Sequence, residues 1–219
     1  MNLTNYTIAS DFDGTITVKD SNVLLVEQLG NDANHQLEID FIEGRISTRE
    51  AMAKHFEAMP LTMDNYRAFL DNIEISSGFD AFLQKLKHTD VDFYIVSGGF
   101  GVGIRHILGV ELTKKIHILS NDSQEINGQI APIFLHENPQ CTQSIGPCGN
   151  CKRESIENIR QRTGKKIVFI GDGLTDRCAV APADIVFAKG SLAKFCSANG
   201  FDFIEYDTFE DILQYINEN

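Results

Sequence analysis

Tyr6-Thr7-Ile8-Ala9-Ser10-Asp11-Phe12-Asp13-Gly14-Thr15 is the stretch that decides the fold. Residues 6–10 are a short run with no helical period, bounded by polar and glycine punctuation, and they read as a buried parallel strand. Asp11 and Asp13 stand directly at its end, where Gly14 lets the backbone turn so that both carboxylates can converge on a ligand. The same arrangement repeats downstream. Residues 91–96 lead into Ser97-Gly98-Gly99, 166–170 into Gly171-Asp172-Gly173-Leu174-Thr175-Asp176, 185–188 into Lys189, and 203–206 into Asp207. Helical periodicity fills the intervals. Phe79, Phe82, Leu83 and Leu86 share one helix face, and so do Phe209, Ile212, Leu213 and Ile216, which follow an Asp207…Glu210 capping-box pattern. Strand alternating with helix predicts an α/β fold, a doubly wound parallel sheet of Rossmann-like type.

From about Ser21 to Glu74 the alternation stops. No convincing strand is present, Ser47 and Glu50 have capping-box spacing, and Gly30 and Gly44 read as helix stops. These signals predict a core of residues 1–18 and 75–219 with a helical insert, 19–74, over the carboxyl ends of the strands, where open α/β sheets bind ligands. Residues 116–135 carry Asn127-Gly128 between alternating apolar residues, which predicts a β-hairpin flap or antiparallel edge.

Composition narrows the function classes. The 219 residues are 42% hydrophobic and 23% charged, as in an ordinary globular chain. A net charge of −12 repels nucleic-acid backbones and anionic membrane surfaces, so neither is expected as a partner. Without a basic, apolar leader or a bilayer-length apolar run, the chain reads as cytoplasmic. Five cysteines, three of them between Cys141 and Cys151, suit reduced thiols or a metal site better than a disulfide framework.

Each acidic or glycine-rich string alone also fits a hydrated turn. Together, Asp11, Asp13, Ser97, Lys152, Asp172 and Asp176 resemble the four-motif signature of the haloacid dehalogenase superfamily of phosphohydrolases over nearly the whole chain. The insert is similar to the C1-type cap of the phosphoserine phosphatase branch. This resemblance implies a Mg²⁺-dependent phosphatase acting on a small phosphorylated metabolite through an aspartyl-phosphate. Asp11 would be nucleophile and metal ligand, Asp13 the acid and then base that also lends its carbonyl to the metal, and Asp172 the second carboxylate ligand. Asp176 would sit behind the ligands, orienting a metal-bound water or Lys152. Ser97, the Gly98 amide and Lys152 would hold the phosphoryl oxygens. A phosphotransferase using the same intermediate is the alternative enzyme class.

For substrate, the resemblance points to the cap. Asp20 stands where phosphoserine phosphatases carry a Glu for the substrate ammonium, and His55 where they carry an Arg for its carboxylate, with Arg45 and Arg49 nearby. The run Cys148-Gly149-Asn150-Cys151-Lys152 resembles the 2-hydroxy-3-keto-5-methylthiopentenyl-1-phosphate phosphatases of methionine salvage. Phosphoserine, phosphocholine, phosphoethanolamine and pyridoxal phosphate are the alternatives. Cys141, Cys148 and Cys151 with His136 have the composition of a structural Zn²⁺ site. A reversible Cys148 to Cys151 disulfide, or simple packing, explains them equally.

Overall fold

A computed structural model of the chain describes residues 1–89, 91–141 and 146–219. Seven strands form one sheet in the order β4-β3-β2-β1-β5-β6-β7. At its centre, β1 (Tyr6–Ser10) runs parallel both to β2 (Phe93–Phe100) and to β5 (Lys166–Gly171). Beyond β5 lie β6 (Ile185–Ala188) and the short β7 (Ile204–Glu205), also parallel. Burial on both faces explains why β1 and β5 read as near-continuous runs rather than alternating ones.

Two of the expected elements differ in detail. Ser97, Gly98 and Gly99 lie within β2, where the pairing with β3 (His117–Ile126) shifts register between Val96 and Phe100. A glycine pair inside a strand weakens regular pairing and permits this irregularity. The first part of β3 pairs with β2, and its second part turns through Asn127 and Gly128, both at positive φ, into antiparallel β4 (Gln129–Ile133). The 116–135 hairpin is thus the antiparallel edge of the sheet.

Between β1 and β2 the chain forms α1 (Ser21–Leu29), α2 (Asp32–Ile42), α3 (Thr48–Ala58), α4 (Met63–Leu70) and α5 (Phe79–Lys87). The run α1 to α4 is closed at its base by an antiparallel bridge from Thr17 to Ile75. Ser47 and Glu50 form the expected capping box of α3. Leu25, Phe56, Met59, Tyr66 and Phe69 of these helices pack with Phe100 of β2 in a core of their own. The remaining helices are α6 (Gly101–Leu108), α7 (Val110–Thr113), α8 (Lys152–Thr163), α9 (Arg177–Val180), α10 (Gly190–Asn199) and α11 (Phe209–Glu218). Phe79 and Phe82 of α5 meet Phe93 and Phe209 of α11 in tilted and edge-to-face pairs within one core cluster. The cap of α11 is Thr208 with Asp211, one residue later than the Asp207…Glu210 pattern. Asp211 still accepts the Asp207 and Thr208 N–H groups, so the spacing rule holds with a shifted frame. No helix among the described residues is long and apolar enough to cross a membrane.

Candidate active site

β1 and β5 are adjacent, and the chain leaves them in opposite directions across the sheet, so a crevice opens beyond their carboxyl ends. Asp11 enters it from β1, 5% exposed, with Oδ1 accepting the Phe12 N–H at 2.7 Å and lying 2.6 Å from Lys152 Nζ. Lys152 opens α8, is 2% exposed, and donates again to Asp176 Oδ1 at 2.7 Å. Asp176 has no exposed surface, and its Oδ2 accepts the N–H groups of Asp172 at 3.0 Å and Gly173 at 2.9 Å. Thr15 donates to Asp172 Oδ1 at 2.6 Å. An ammonium buried this deeply persists only because two carboxylates receive it.

Asp13 is held from both sides. Ser21, first residue of α1, donates to its Oδ1, and Ser97 donates to its Oδ2 at 3.3 Å while accepting the Gly99 N–H at 2.9 Å. Asn121 Nδ2 donates to the Gly98 carbonyl at 2.7 Å. Asn150 Nδ2 donates to the Ser97 carbonyl and to the Leu119 carbonyl, each at 2.8 Å, which ties the irregular part of β2 to β3 and to the segment before Lys152. Thr15, Ser21, Asn121 and Asn150 were missed in the sequence. Thr15 and Asn150 had a signal, since they adjoin the Asp11-to-Gly14 and Cys151-Lys152 strings, whereas Ser21 and Asn121 had none.

Carboxylates crowd the crevice. Oxygens of Asp11, Asp172 and Asp176 lie within 4.8 Å of one another, a set that can hold a metal ion. Burial, then the charge of Asp176, raises Asp11 well above the usual carboxylate range. The same causes bring Asp172 up to about 6, and burial raises Asp13. Burial alone would lower Lys152, but Asp11 and Asp176 overcome it and push it up. The residual negative charge and the all-oxygen donors fit a small hard cation, which would reverse the upward carboxylate shifts. Gly14 allows this approach. At φ +79°, a Cβ there would stand 2.6 Å from Asp172 Oδ2.

A cavity of about 150 Å³ lies between these strand ends and α1 to α3. Asp11, Asp13, Gly98 and Lys152 form its polar floor, while Leu25, Val26, Met52, Phe56 and Met59 line it from the helices. Asp20 and His55 both reach it. Asp20 also caps α1, its Oδ1 accepting the N–H groups of Asn22 at 2.8 Å and Val23 at 3.2 Å, and burial followed by the charge of Asp13 brings it up to about 7. Arg45 does not line the cavity. It is half exposed and paired with Asp40 at 2.7 Å and with Glu43, acids at the end of α2. Arg49 likewise pairs with Glu137 at 2.7 Å and lies over the Phe134 ring.

The cysteines correct an expectation. Among the described residues, His136, Cys141, Cys148 and Cys151 do not gather into a set able to hold an ion, and all five cysteines are free thiols. Backbone pairing ties the segment down instead. His136 bridges Asn150, and its carbonyl accepts the Cys151 N–H at 2.7 Å. Cys148 lines the cavity with Sγ 3.8 Å from Thr48 Oγ1, and burial raises both its thiol and that of Cys151. Residues 142–145 of the cysteine-rich stretch lie outside the described residues.

Comparison with known proteins agrees with this geometry. A protein from an Exiguobacterium species, named 2-hydroxy-3-keto-5-methylthiopentenyl-1-phosphate phosphatase, is 31% identical over 212 residues, 95% of this chain and 96% of its own. One of the same name from Bacillus mycoides is 30% identical over 207 residues, 93% and 92% of the two chains. A substrate-bound phosphoserine phosphatase superposes with a TM-score of 0.71 at 19% identity, covering 98% of this chain and 99% of that one, and so shares the fold. Residues 6–190, from the first strand to the start of α10, match the model of the family described as Putative Phosphatase. A phosphoric monoester hydrolase is therefore what this sequence encodes, and the chain belongs to the Putative Phosphatase family.

Proposed function

We propose that this chain is a Mg²⁺-dependent phosphatase for 2-hydroxy-3-keto-5-methylthiopentenyl-1-phosphate, working in the cytoplasm. The observation that carries the reading is Lys152 held between Asp11 and Asp176 at the floor of a cavity whose helical wall is largely apolar. The relatives quoted above carry the name of that substrate, and a cavity lined by Met52, Met59, Phe56 and Leu25 suits a leaving group with an apolar thioether tail.

Asp11 and Asp172 would hold Mg²⁺ together with the Asp13 carbonyl, and the ion when bound would screen the phosphoryl oxygens. Asp11 Oδ1 is committed to Phe12 and Lys152, so Oδ2 is the oxygen left to attack phosphorus. An Asp11 to phosphorus bond forms as the bond to the leaving oxygen breaks, and Asp13 passes its proton to that oxygen. Asp13 then takes a proton from the water that cleaves the acyl phosphate, releasing inorganic phosphate and restoring Asp11. Ser97, the Gly98 amide and Lys152 stabilise the phosphoryl charge, and Asp176 keeps Lys152 in place. Helices α1 to α4, as a cap within 19–74, exclude bulk water and choose the leaving group. The test is phosphate release from a panel of phosphorylated metabolites, with and without chelator. Mg²⁺-dependent release, fastest from the methylthio substrate, is expected. Release that persists in chelator, or a preference for phosphoserine, would overturn the assignment.

A further inference from the structure

Two buried asparagines, Asn121 of β3 and Asn150 two positions before Lys152, converge on the irregular part of β2, and each is 2% exposed. Val96 pairs with Leu119 and Phe100 with Asn121, so residues 97–99 of β2 face Ser120 alone on β3, and the regular ladder does not hold their peptides. Side-chain amides hold them instead. Asn150 Nδ2 donates to the Ser97 carbonyl at 2.8 Å, and Asn121 Nδ2 to the next carbonyl, that of Gly98, at 2.7 Å. Each acceptor fixes which way its asparagine is turned, since a flipped amide would set oxygen against oxygen.

Both peptides are trans and planar, so fixing a carbonyl also fixes the N–H across the same plane. Through the peptide between Ser97 and Gly98, Asn150 aims the Gly98 N–H. Through the peptide between Gly98 and Gly99, Asn121 aims the Gly99 N–H, which donates to Ser97 Oγ at 2.9 Å. Left without these contacts, two adjacent glycines would let either peptide turn over at little cost. Asn150 is anchored in turn, its Oδ1 accepting from Ser155 Oγ of α8 at 3.2 Å and its Nδ2 donating also to the Leu119 carbonyl. Asn121 Oδ1 has no partner among the described residues, a cost that a residue serving the fold alone would not carry. Gly149 gives it room, because a Cβ there would stand 2.8 Å from Asn121 Nδ2.

We propose that Asn121 and Asn150 are positioning residues that preset the phosphoryl-oxygen pocket, Asn150 by aiming the Gly98 amide and Asn121 by aiming the Ser97 hydroxyl. Both act through the backbone of β2. Donors already in place need no rearrangement as charge builds on the phosphoryl oxygens, so the loss of either asparagine falls on rate.

This inference rests on the phosphatase reading, and its test separates the two. The probe is p-nitrophenyl phosphate with Mg²⁺, and kcat is taken per folded molecule, with folding checked by circular dichroism. Asn121→Ala and Asn150→Ala should each lower kcat by about tenfold or more. The half-saturating Mg²⁺ concentration should stay within about threefold of wild type, because the strand-end carboxylates keep their own partners. In a Ser97→Ala background the loss from Asn121→Ala should shrink below about threefold, since the hydroxyl it aims is gone, whereas the loss from Asn150→Ala should persist. A residue that only supports the fold would cost the same in both backgrounds. Asn121→Asp and Asn150→Asp keep the size and remove the donor, and they give the same readings where an alanine variant does not fold. Wild-type kcat in a folded variant at either position, a tenfold rise in half-saturating Mg²⁺, or an Asn121 loss unchanged by Ser97→Ala would overturn the inference alone. Wild type inactive on p-nitrophenyl phosphate with Mg²⁺ would overturn the phosphatase reading and this inference with it.

Discussion

Asp11 and Asp13 are two residues apart, yet their surroundings differ. Asp11 has a lysine on one oxygen, while Asp13 is held by the hydroxyls of Ser21 and Ser97 and has no direct cationic partner among the described residues. With Asp11 as the proposed nucleophile, Asp11→Asn should lower kcat by at least about a thousandfold with the fold intact, as circular dichroism and phosphate release would show together. Asp13→Asn should cost rate while sparing substrate affinity, since proton transfer is lost and the backbone carbonyl stays. A rise in Kd as large as the fall in kcat would contradict that role. Gly14→Ala should be worse than its size suggests. It demands the left-handed region, a strain of about 1 kcal/mol or more, and drives a methyl into the Asp172 carboxylate. Titration of activity with Mg²⁺ should show its half-saturating concentration raised by about tenfold or more. The Asp-x-Asp-Gly-Thr string made these residues legible, because a strand end followed by glycine is a local property. Ser21 was illegible, because its contact with Asp13 exists only once α1 folds back over β1.

At the scale of elements, caps and strand ends do the positioning. Ser47 and Glu50 satisfy the first turn of α3, the helix that presents Thr48, Met52 and His55 to the cavity. Ser47→Ala should destabilise the protein by about 1 kcal/mol in denaturant unfolding. It should also raise KM more than it lowers kcat, because α3 is remote from the reacting atoms. A fall in kcat at unchanged KM would place α3 in the chemistry instead. The periodic signals of α5 and α11 match the observed helices, since their apolar faces bury against the sheet. The cap of α11 was displaced by one residue, because Asp207 and Thr208 both satisfy the rule locally and only docking of Phe209 against Ser77 selects between them.

The molecule as a whole concentrates negative charge in a buried crevice. A carboxylate whose folded pKa lies above its unfolded value, about 4, contributes stability that is fully present below that value and is lost as pH rises through the folded pKa. With Asp172 at about 6 and Asp20 at about 7, metal-free protein should lose thermal stability as pH rises from about 5 to about 8. Millimolar Mg²⁺ should restore it, raising Tm more at the upper pH than at the lower. An equal Mg²⁺ effect at both, measured by calorimetry, would mean that these groups do not set the charge of the site.

Local order in the chain determined the strands, the helical insert, the hairpin turn and the strand-end acids. Each depends on neighbours a few residues away, through alternation, helical period, capping or the freedom of glycine. Tertiary structure alone decided which polar residues face one another. Lys152 meets Asp11 across 141 positions of chain, Asn150 meets Ser97 across 53, and His55 is oriented by Asn34 across 21. It also decided against Arg45, since a salt bridge formed on packing takes a side chain away from a site that its residue type would suit. The physical reason is range. Propensity and periodicity act along the chain, whereas hydrogen bonds and charges pair whatever packing brings within about 3 Å, and no local pattern records that distance.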